Sequence, residues 1–247
     1  MEDLKIWQDC GGLQLKYLIG VDEVGRGPLF GPVVAAAIRI TPCSNHGQGP
    51  EDILNWLKGL GVGDSKKLTA TKRVRILGDV FGTQFESQKT AMSIEKCGWL
   101  VEGRIEQASV LEIDQINILH AAMLAMSRAI RELGRLAKDR GVILVDGNRN
   151  PLAKDPIVGA QVICLVKGDA RSLVIGLASI LAKEYRDTLI TQMSHLYPGY
   201  GLEKHAGYPT PEHLQALSKL GPTSEHRKSF GPVRKSFEQG AEIRGPL

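Results

Sequence analysis

The sequence lacks the features of a membrane protein, an exported protein and a disulfide scaffold. Its 247 residues include only 5% aromatic residues and four cysteines, at positions 10, 43, 97 and 164, with no C-x-x-C pair. The apolar runs stop well short of the ~20 residues that span a bilayer, and the start Met1-Glu2-Asp3 has acids where a signal peptide has bases. We therefore expect a cytoplasmic protein with no membrane partner, whose cysteines are reduced and mostly buried.

Two nucleotide-binding motifs are also absent from the glycine-rich stretch that follows the first apolar run. The glycines at 25, 27 and 31 give the spacing G-x-G-x-x-x-G, which differs from the dinucleotide fingerprint, and no Lys-Ser/Thr pair follows to make a P-loop. The stretch contains instead two adjacent acids, Asp22 and Glu23. Because neighbouring carboxylates at the end of a buried strand repel each other, this pattern favours a bound cation, usually a metal. An ordinary surface hairpin is the alternative for this stretch alone.

Two later apolar runs also lead to an aspartate. The run 142–145 precedes Asp146, and the run 162–166 precedes Asp169. If these strands end at one edge of an open α/β sheet, their termini bring Asp22, Asp146 and Asp169 into one crevice, where they would form a magnesium or manganese site. Each has a structural alternative, since Asp146 before Gly147 can open a turn and Asp169 can cap the helix predicted over 170–190.

The C-terminal part is basic although the whole chain has a net charge of only +4. Between 204 and 235, six lysines and arginines stand against two glutamates, and tyrosines occur at 197, 200 and 208. This mixture suits contacts with phosphates and stacking on sugars, although a charged stretch is more often only a solvated face. The histidines at 205, 213 and 226 fit surface or phosphate contacts better than a zinc site.

Periodicity predicts the scaffold between these motifs. A strand over Val33–Ile40 makes the glycine-rich turn a hairpin connection, and an insertion at 41–62 surrounds a short helix. The predicted helices are Glu51–Lys58, a basic helix from Asp64 to Leu77, a long helix capped by Asp114, and Pro211–Lys219. The alternation predicts a mixed α/β sheet covered by helices.

At its motifs the sequence strongly resembles the ribonuclease HII family, the bacterial type 2 ribonucleases H. The matching stretches, in family order, are Gly20–Pro28, Asp64–Leu68, Ile116–Ala121, Val145–Arg149, Val166–Asp169, Ala178–Lys183 and His226–Phe230. The chain departs from the family at Ala206, where lysine is common, at Gly176-Leu177 and in the longer insertion at 41–62. None of these departures touches the four acids.

The resemblance implies a ribonuclease H-like fold, a five-stranded mixed sheet flanked by helices. An N-terminal extension (1–16) would precede the catalytic domain (17–195) and a C-terminal helical substrate-binding region (196–247). The catalytic and metal-binding residues would be Asp22, Glu23, Asp146 and Asp169. The substrate-binding residues would be Gly25, Arg26, Gly27, Ser65, Lys66, Asn117, Lys167, Tyr208, Arg227 and Lys228. Within that set, Gly25-Arg26-Gly27 would recognise the ribose 2′-hydroxyl and Tyr208 would stack on the sugar beside the scissile phosphate.

The implied function is that of a monomeric endoribonuclease using two Mn²⁺ or Mg²⁺ ions. It would cut the RNA strand of RNA/DNA hybrids and the 5′ side of single ribonucleotides in duplex DNA, leaving 5′-phosphate and 3′-hydroxyl, in ribonucleotide and RNA primer removal. Two alternatives are a non-catalytic nucleic-acid-binding module and another ribonuclease H-fold enzyme. The four intact acids argue against the first. A resolvase would lack the Gly-Arg-Gly loop, and a type 3 ribonuclease H would carry its own N-terminal substrate-binding domain.

Overall fold

The computed structural model describes residues 2–43, 49–82, 85–133 and 139–245, so part of the predicted 41–62 insertion lies outside the described residues. The strands are β1 (Tyr17–Val24), β2 (Val33–Pro42), β3 (Ala91–Lys96), β4 (Trp99–Ala108), β5 (Gly141–Asp146) and β6 (Ala160–Leu165). The α-helices are α1 (Glu2–Cys10), α2 (Glu51–Gly59), α3 (Ala70–Phe81), α4 (Val110–Glu132), α5 (Gly168–Arg171), α6 (Leu173–Leu196), α7 (Leu202–His205), α8 (Pro211–Leu220) and α9 (Gly231–Glu238).

The strands form one mixed sheet in the order β3-β4-β2-β1-β5-β6. β1 pairs antiparallel with β2, which confirms the hairpin, and parallel with β5, which in turn pairs parallel with β6. The carboxyl ends of β1, β5 and β6 therefore lie at one edge of the sheet, as predicted. The mixed α/β class is confirmed, but the described sheet has six strands instead of five, and the β3–β4 hairpin was not recognised in the sequence.

Helices cover both faces of the sheet. Because side chains alternate along β1, Leu18 packs with α2, α3 and α6 on one face, while Ile19 and Val21 pack with α4 on the other. Gly20 sits where α6 crosses β1, and a Cβ there would lie 2.4 Å from the backbone nitrogen of Ile175. The missing side chain thus lets α6 approach β1 closely.

Two predicted helix starts are wrong in detail. The basic segment from Asp64 is broken in two: a 3₁₀ turn over Ser65–Lys67 is capped by Asp64, and α3 begins separately after Thr69, whose hydroxyl accepts from the backbone of Lys72. A polar side chain that can satisfy free backbone amides ends one helical turn and starts the next.

Asp114 is not the cap of the long helix. α4 begins after Ser109, which forms a capping box with Glu112. The helix is then interrupted at Asn117, which has a φ of +64°. The Asn117 side chain accepts hydrogen bonds from the backbone of Leu119 and His120, at 3.0 and 3.2 Å, and so starts the helix again.

The N-terminal helix is attached to the start of α6. The carboxylate of Asp3 accepts from the Ser172 hydroxyl and from the Leu173 backbone, the latter at 2.8 Å, and Glu2 pairs with Arg171. Ser172 itself caps α6 by accepting from the Ile175 backbone at 3.1 Å. Asp169 therefore does not cap α6 and keeps its carboxylate for other contacts.

The C-terminal helices pack around the glycine-rich loop between β1 and β2. Phe30 is buried with Ile190, Tyr197 and Tyr200, and its backbone pairs with that of His226. The neighbouring Leu29 lies against Leu217 and Val233. The loop is thus held from behind by the C-terminal part.

No helix in the described ranges combines the length and apolar character needed to cross a membrane.

The four cysteines are free, but Cys97 is exposed and the other three are half-buried, so the expectation of mostly buried thiols is wrong.

Candidate active site

The four predicted acids lie at the edge of the sheet where β1, β5 and β6 end. Asp22 and Glu23 belong to the last residues of β1, Asp146 ends β5, and Asp169 is in α5 just after β6. Asp22 and Asp169 are only 6% and 7% exposed. The carboxylate of Asp146 accepts a hydrogen bond of 2.6 Å from the backbone of Gly168, which ties the end of β5 to the turn bearing Asp169.

The acids repel one another across this edge. Burial, followed by the charges of Glu23 and Asp146, raises the pKa of Asp22 well above its usual value. Burial and the charge of Asp146 likewise raise the pKa of Asp169. Burial also raises the pKa of Glu23, against the lowering effect of Arg26. The site therefore carries more negative charge than its surroundings stabilise, and a cation would be attracted to it.

Two basic residues neutralise part of this charge. Arg26 lies 3.3 Å from a carboxylate oxygen of Glu23, and Lys66 lies 3.9 Å from one of Asp169. Both are exposed at their ends, so their contribution to stability is small. Both stand next to the acids, and their contacts with substrate stay predictions.

The acids fit divalent cations by their chemistry. Their carboxylate oxygens are the ligands that Mg²⁺ and Mn²⁺ prefer. Across the described ranges, no three side chains of the metal-binding types already converge as ligands of one ion. A Mg²⁺ ion held by such carboxylates usually keeps several water or substrate oxygens as further ligands.

A pair of serines lies behind the acid cluster. The Ser179 hydroxyl on α6 hydrogen-bonds Asp22, which opposes the rise in the pKa of that acid. It is also 2.8 Å from the hydroxyl of Ser65, which is only 3% exposed. Ser65 thus faces Ser179 in the interior; its contact with substrate stays a prediction.

The predicted role of Arg227 as a substrate contact needs correction, because its side chain is fully buried. Its guanidinium donates to the backbone carbonyls of Gly31, Arg26 and Gly25, at 2.8, 3.2 and 2.7 Å. Arg227 therefore shapes the glycine-rich loop from inside and has no surface left for a duplex.

A second buried arginine supports the same loop. Arg186 of α6 is 1% exposed and donates to the carbonyls of Phe30 and Ala206, both at 3.2 Å. Burial lowers the pKa of Arg186 to about 10 and that of Arg227 to about 9, so both stay charged near neutral pH. Gly25, with a φ of +93°, lies so close that a Cβ would be 2.2 Å from Nε of Arg186.

These contacts orient the loop amides. In a trans peptide the carbonyl and the N–H point in opposite directions. Since the carbonyls of Gly25 and Arg26 point inward to Arg227, the amides of Arg26 and Gly27 point away from it. The loop therefore presents backbone donors on the side opposite the buried arginines.

Tyr208 lies beside these amides. Its side chain is 42% exposed, and a Cβ on Gly27 would be 3.3 Å from its ring. The backbone of Leu29 donates to the carbonyl of Gly207 at 2.8 Å, which joins the turn before Tyr208 to the glycine-rich loop. Gly27 and Tyr208 thus form two sides of one exposed niche.

The other predicted contact residues lie on the surface. Lys66, Lys167 and Lys228 are exposed, and Lys167 has a left-handed backbone with a φ of +57°. Asn117 is exposed as well, with its side chain hydrogen-bonded within α4. Their contacts with substrate stay predictions.

Sequence reasoning missed four residues that support the site: Arg186, Ser179, His213 and His226. Ser179 lies in a stretch that was recognised as a motif, but spacing alone cannot show that α6 crosses β1 at Gly20. The sequence favours surface or phosphate contacts for the histidines, whereas His213 and His226 are fully buried. The signal that could have found Arg186 is a charged residue within an otherwise apolar helix face.

Comparison with known proteins places the chain in a family. The model of the ribonuclease HII family matches residues 19–239. The ribonuclease HII of Parvibaculum lavamentivorans is 43% identical over 233 residues, covering 94% of this chain and 72% of the relative. That of Magnetococcus marinus is 44% identical over 222 residues, covering 90% and 87%.

Solved structures share the fold. The crystal structure of ribonuclease H2 from Pyrococcus horikoshii matches with a TM-score of 0.61 at 24% identity, covering 90% of this chain and 98% of that one. The crystal structure of Bst ribonuclease HIII in complex with Mn²⁺ matches with a TM-score of 0.63 at 19% identity, covering 93% and 72%.

The sheet order, the flanking helices and these neighbours define a ribonuclease H-type fold. The family match and the relatives identify one family among the proteins that have this fold. The chain belongs to the ribonuclease HII family, and its activity class is that of a ribonuclease H endonuclease.

Proposed function

We propose that this enzyme cuts the RNA strand of RNA/DNA hybrids and the 5′ side of single ribonucleotides embedded in duplex DNA, leaving 5′-phosphate and 3′-hydroxyl ends. The observation that carries the proposal is the niche between Gly27 and Tyr208, next to the acid cluster. Removal of misincorporated ribonucleotides and of RNA primers is the corresponding cellular use.

The niche suits recognition of a ribose. A ribonucleotide in DNA differs locally by one hydroxyl group, so its recognition needs hydrogen-bond partners within about 3 Å of the 2′ oxygen. The outward amides of Arg26 and Gly27 are such donors, and the absence of a side chain at Gly27 allows a close approach. The exposed ring of Tyr208 offers a flat surface for the adjacent sugar.

The acids would hold the metal ions next to this niche. Asp22, Glu23, Asp146 and Asp169 supply the oxygen ligands, with the ends of β1 and β5 and the α5 turn fixing their positions. When bound, two divalent cations would activate the attacking water and stabilise the charge that develops on the phosphate and the leaving 3′ oxygen. The Mn²⁺ complex of the structurally similar Bst enzyme supports this type of ion.

Basic side chains would bind the backbone of the duplex. Lys66 stands beside Asp169, and Lys228 lies on the C-terminal part near Phe237. Lysine contacts with phosphates hold the duplex without regard to sequence. Together with Lys167 and Asn117 they would orient the scissile phosphate toward the acids.

The test compares three labelled duplexes: one with a single ribonucleotide, one of DNA alone, and a continuous RNA/DNA hybrid. With Mg²⁺ or Mn²⁺ we expect cleavage of the first and third, at the 5′ side of the ribonucleotide in the first, and none without metal. Tyr208→Ala should cleave the single-ribonucleotide duplex at a severely reduced rate compared with wild type. Tyr208→Phe is the matched control, because it keeps the ring and loses only the hydroxyl. Robust cleavage of the all-DNA duplex, or full activity of Tyr208→Ala, would contradict the proposal.

A further inference from the structure

A chain of hydrogen bonds runs through the buried histidines behind Tyr208. Nδ1 of His213 is 2.9 Å from the carbonyl oxygen of Tyr208, and Nε2 of His213 is 3.2 Å from Nε2 of His226. At the far end, the backbone N–H of Thr223 donates to Nδ1 of His226 at 3.0 Å. Both histidines are fully buried.

The partners at the two ends determine where the ring protons lie. A carbonyl can only accept, so Nδ1 of His213 carries a proton and donates to Tyr208. A backbone N–H can only donate, so Nδ1 of His226 carries none, and the proton of this ring is on Nε2. His226 therefore donates to Nε2 of His213, which must be free of a proton. Each of these hydrogen bonds has one donor and one acceptor only when both imidazole rings are neutral.

Burial supports this assignment. It lowers the pKa of His226 to about 3 and that of His213 below its usual value. A second proton on His213 would set two N–H groups against each other between the rings. The pair thus has one arrangement near neutral pH.

The end of this hydrogen-bond chain that is distant from Tyr208 lies in the same segment that shapes the glycine-rich loop. His226 precedes Arg227, whose guanidinium holds the carbonyls of Gly25 and Arg26. One segment of backbone therefore reaches both sides of the niche: through Arg227 to the loop, and through His226 and His213 to Tyr208.

Building on the proposed function, we propose that His213 and His226 are positioning residues, which fix the backbone of Tyr208 so that its ring stands opposite Gly27 at the ribose. The histidines do not touch the substrate. They act through the carbonyl of Tyr208, at a turn in which Ala206 and Gly207 have left-handed backbone angles, with φ of +48° and +81°. Such a turn needs support from its surroundings to keep its shape.

His213→Leu and His213→Asn form a matched pair for the test. The two side chains have nearly the same shape, but asparagine keeps an N–H donor at the position of Nδ1, whereas leucine has none. We expect single-turnover cleavage of the single-ribonucleotide duplex to be about tenfold slower in His213→Leu and within about threefold of wild type in His213→Asn. His195→Asn, on an exposed histidine of α6, is the control and should be unchanged.

The same substitutions in a Tyr208→Ala background separate positioning from general destabilisation. If His213 acts through the ring of Tyr208, His213→Leu should cause less than about a twofold further loss when that ring is absent. An equal loss in both backgrounds would overturn the proposal, because it would indicate a purely structural effect. So would a His213→Asn variant that folds but is as slow as His213→Leu.

Nitrogen NMR of the histidine rings tests the chain without any activity. Near pH 7 we expect neutral His213 with its proton on Nδ1 and neutral His226 with its proton on Nε2. A charged ring or the opposite tautomer at either residue would overturn the inference, even if a leucine variant failed to fold. If the wild type did not cut the single-ribonucleotide duplex, the proposed function would be refuted. The tautomers of His213 and His226 would still show whether the hydrogen bonds between Thr223, His226, His213 and Tyr208 form as described.

Discussion

Gly25 and Gly27 are two residues apart, yet an alanine should act differently at each. At Gly25 the backbone φ is +93°, and a Cβ would lie 2.2 Å from Nε and 2.8 Å from Cδ of the buried Arg186. A side chain in this backbone region costs about 1–3 kcal/mol, and forcing an atom into a packed interior costs about 1–3 kcal/mol more. We therefore expect Gly25→Ala to lower the free energy of unfolding by about 2–6 kcal/mol, or the melting temperature by about 5–20 °C for a chain of this size.

At Gly27 an added Cβ meets only the ring of Tyr208, at 3.3 Å, and that ring is partly exposed and able to shift by a few tenths of an ångström. The loss of stability should be below about 1 kcal/mol. Cleavage at a single ribonucleotide should nevertheless fall strongly, because the methyl group occupies the space of the ribose. Gly25→Ala thus loses stability first, and Gly27→Ala loses activity first.

Thermal unfolding and single-turnover cleavage of the single-ribonucleotide duplex, measured on both variants, test this contrast. A Gly25→Ala protein that melts like wild type would refute the packing of this loop against Arg186. A Gly27→Ala protein that cuts at the wild-type rate would show that the ribose does not lie against Gly27.

Other predictions concern charge. Asp22→Asn and Asp146→Asn should each lower cleavage to less than about a tenth of wild type, with duplex affinity largely kept in binding titrations, since the lost ligand stabilises the transition state more than the bound state. Lys66→Ala and Lys228→Ala should weaken binding without moving the cleavage position, and each should reduce the log–log salt slope by about 0.9; unchanged slopes in both would remove these lysines from the interface. Without metal, the folded protein binds a proton at Asp22 more tightly than the unfolded chain does, because the pKa of Asp22 is raised in the folded state. The free energy of unfolding of the wild type therefore falls as the pH rises from the ordinary pKa of an aspartate to the raised pKa of Asp22. Asp22→Asn should therefore melt above wild type at pH 8, with the difference narrowing toward pH 4. Added Mn²⁺ at 100 times its Kd should stabilise the wild type by about 2.7 kcal/mol, and Asp22→Asn by clearly less.

The strands that carry the acids were predictable because their signals are local, whereas the β3–β4 hairpin was not predicted. An apolar run that ends in an acid identifies β1 and β5, and parallel pairing then brings Asp22 and Asp146 to one edge. The supporting residues depend on contacts far apart in the sequence. Arg227 lies 202 residues from Gly25, whose carbonyl it holds, and a basic motif alone gives no sign that its arginine points inward.

Helix starts were harder for a related reason. Asp114 has the residue type and spacing of a cap, but its carboxylate accepts from the backbone of Lys228 and Ser229 in the C-terminal part. Asn117, which does restart the helix, looks from sequence like any polar residue on a helix surface. The local sequence allows either Asp114 or Asn117 to start a helix, and the contacts of Asp114 with the C-terminal part decide between them.

The attachment of α1 to α6 has a consequence for the order in which the chain folds. Asp3 contacts Ser172 and Leu173, at sequence separations of 169 and 170 residues. A helix of nine residues is too short to be stable by itself in water. During synthesis, α1 therefore has no docking site until the turn carrying Asp169 and the start of α6 have been made and folded. Although α1 is made before the elements that it contacts, it is thus completed late, and it docks beside the last of the four acids.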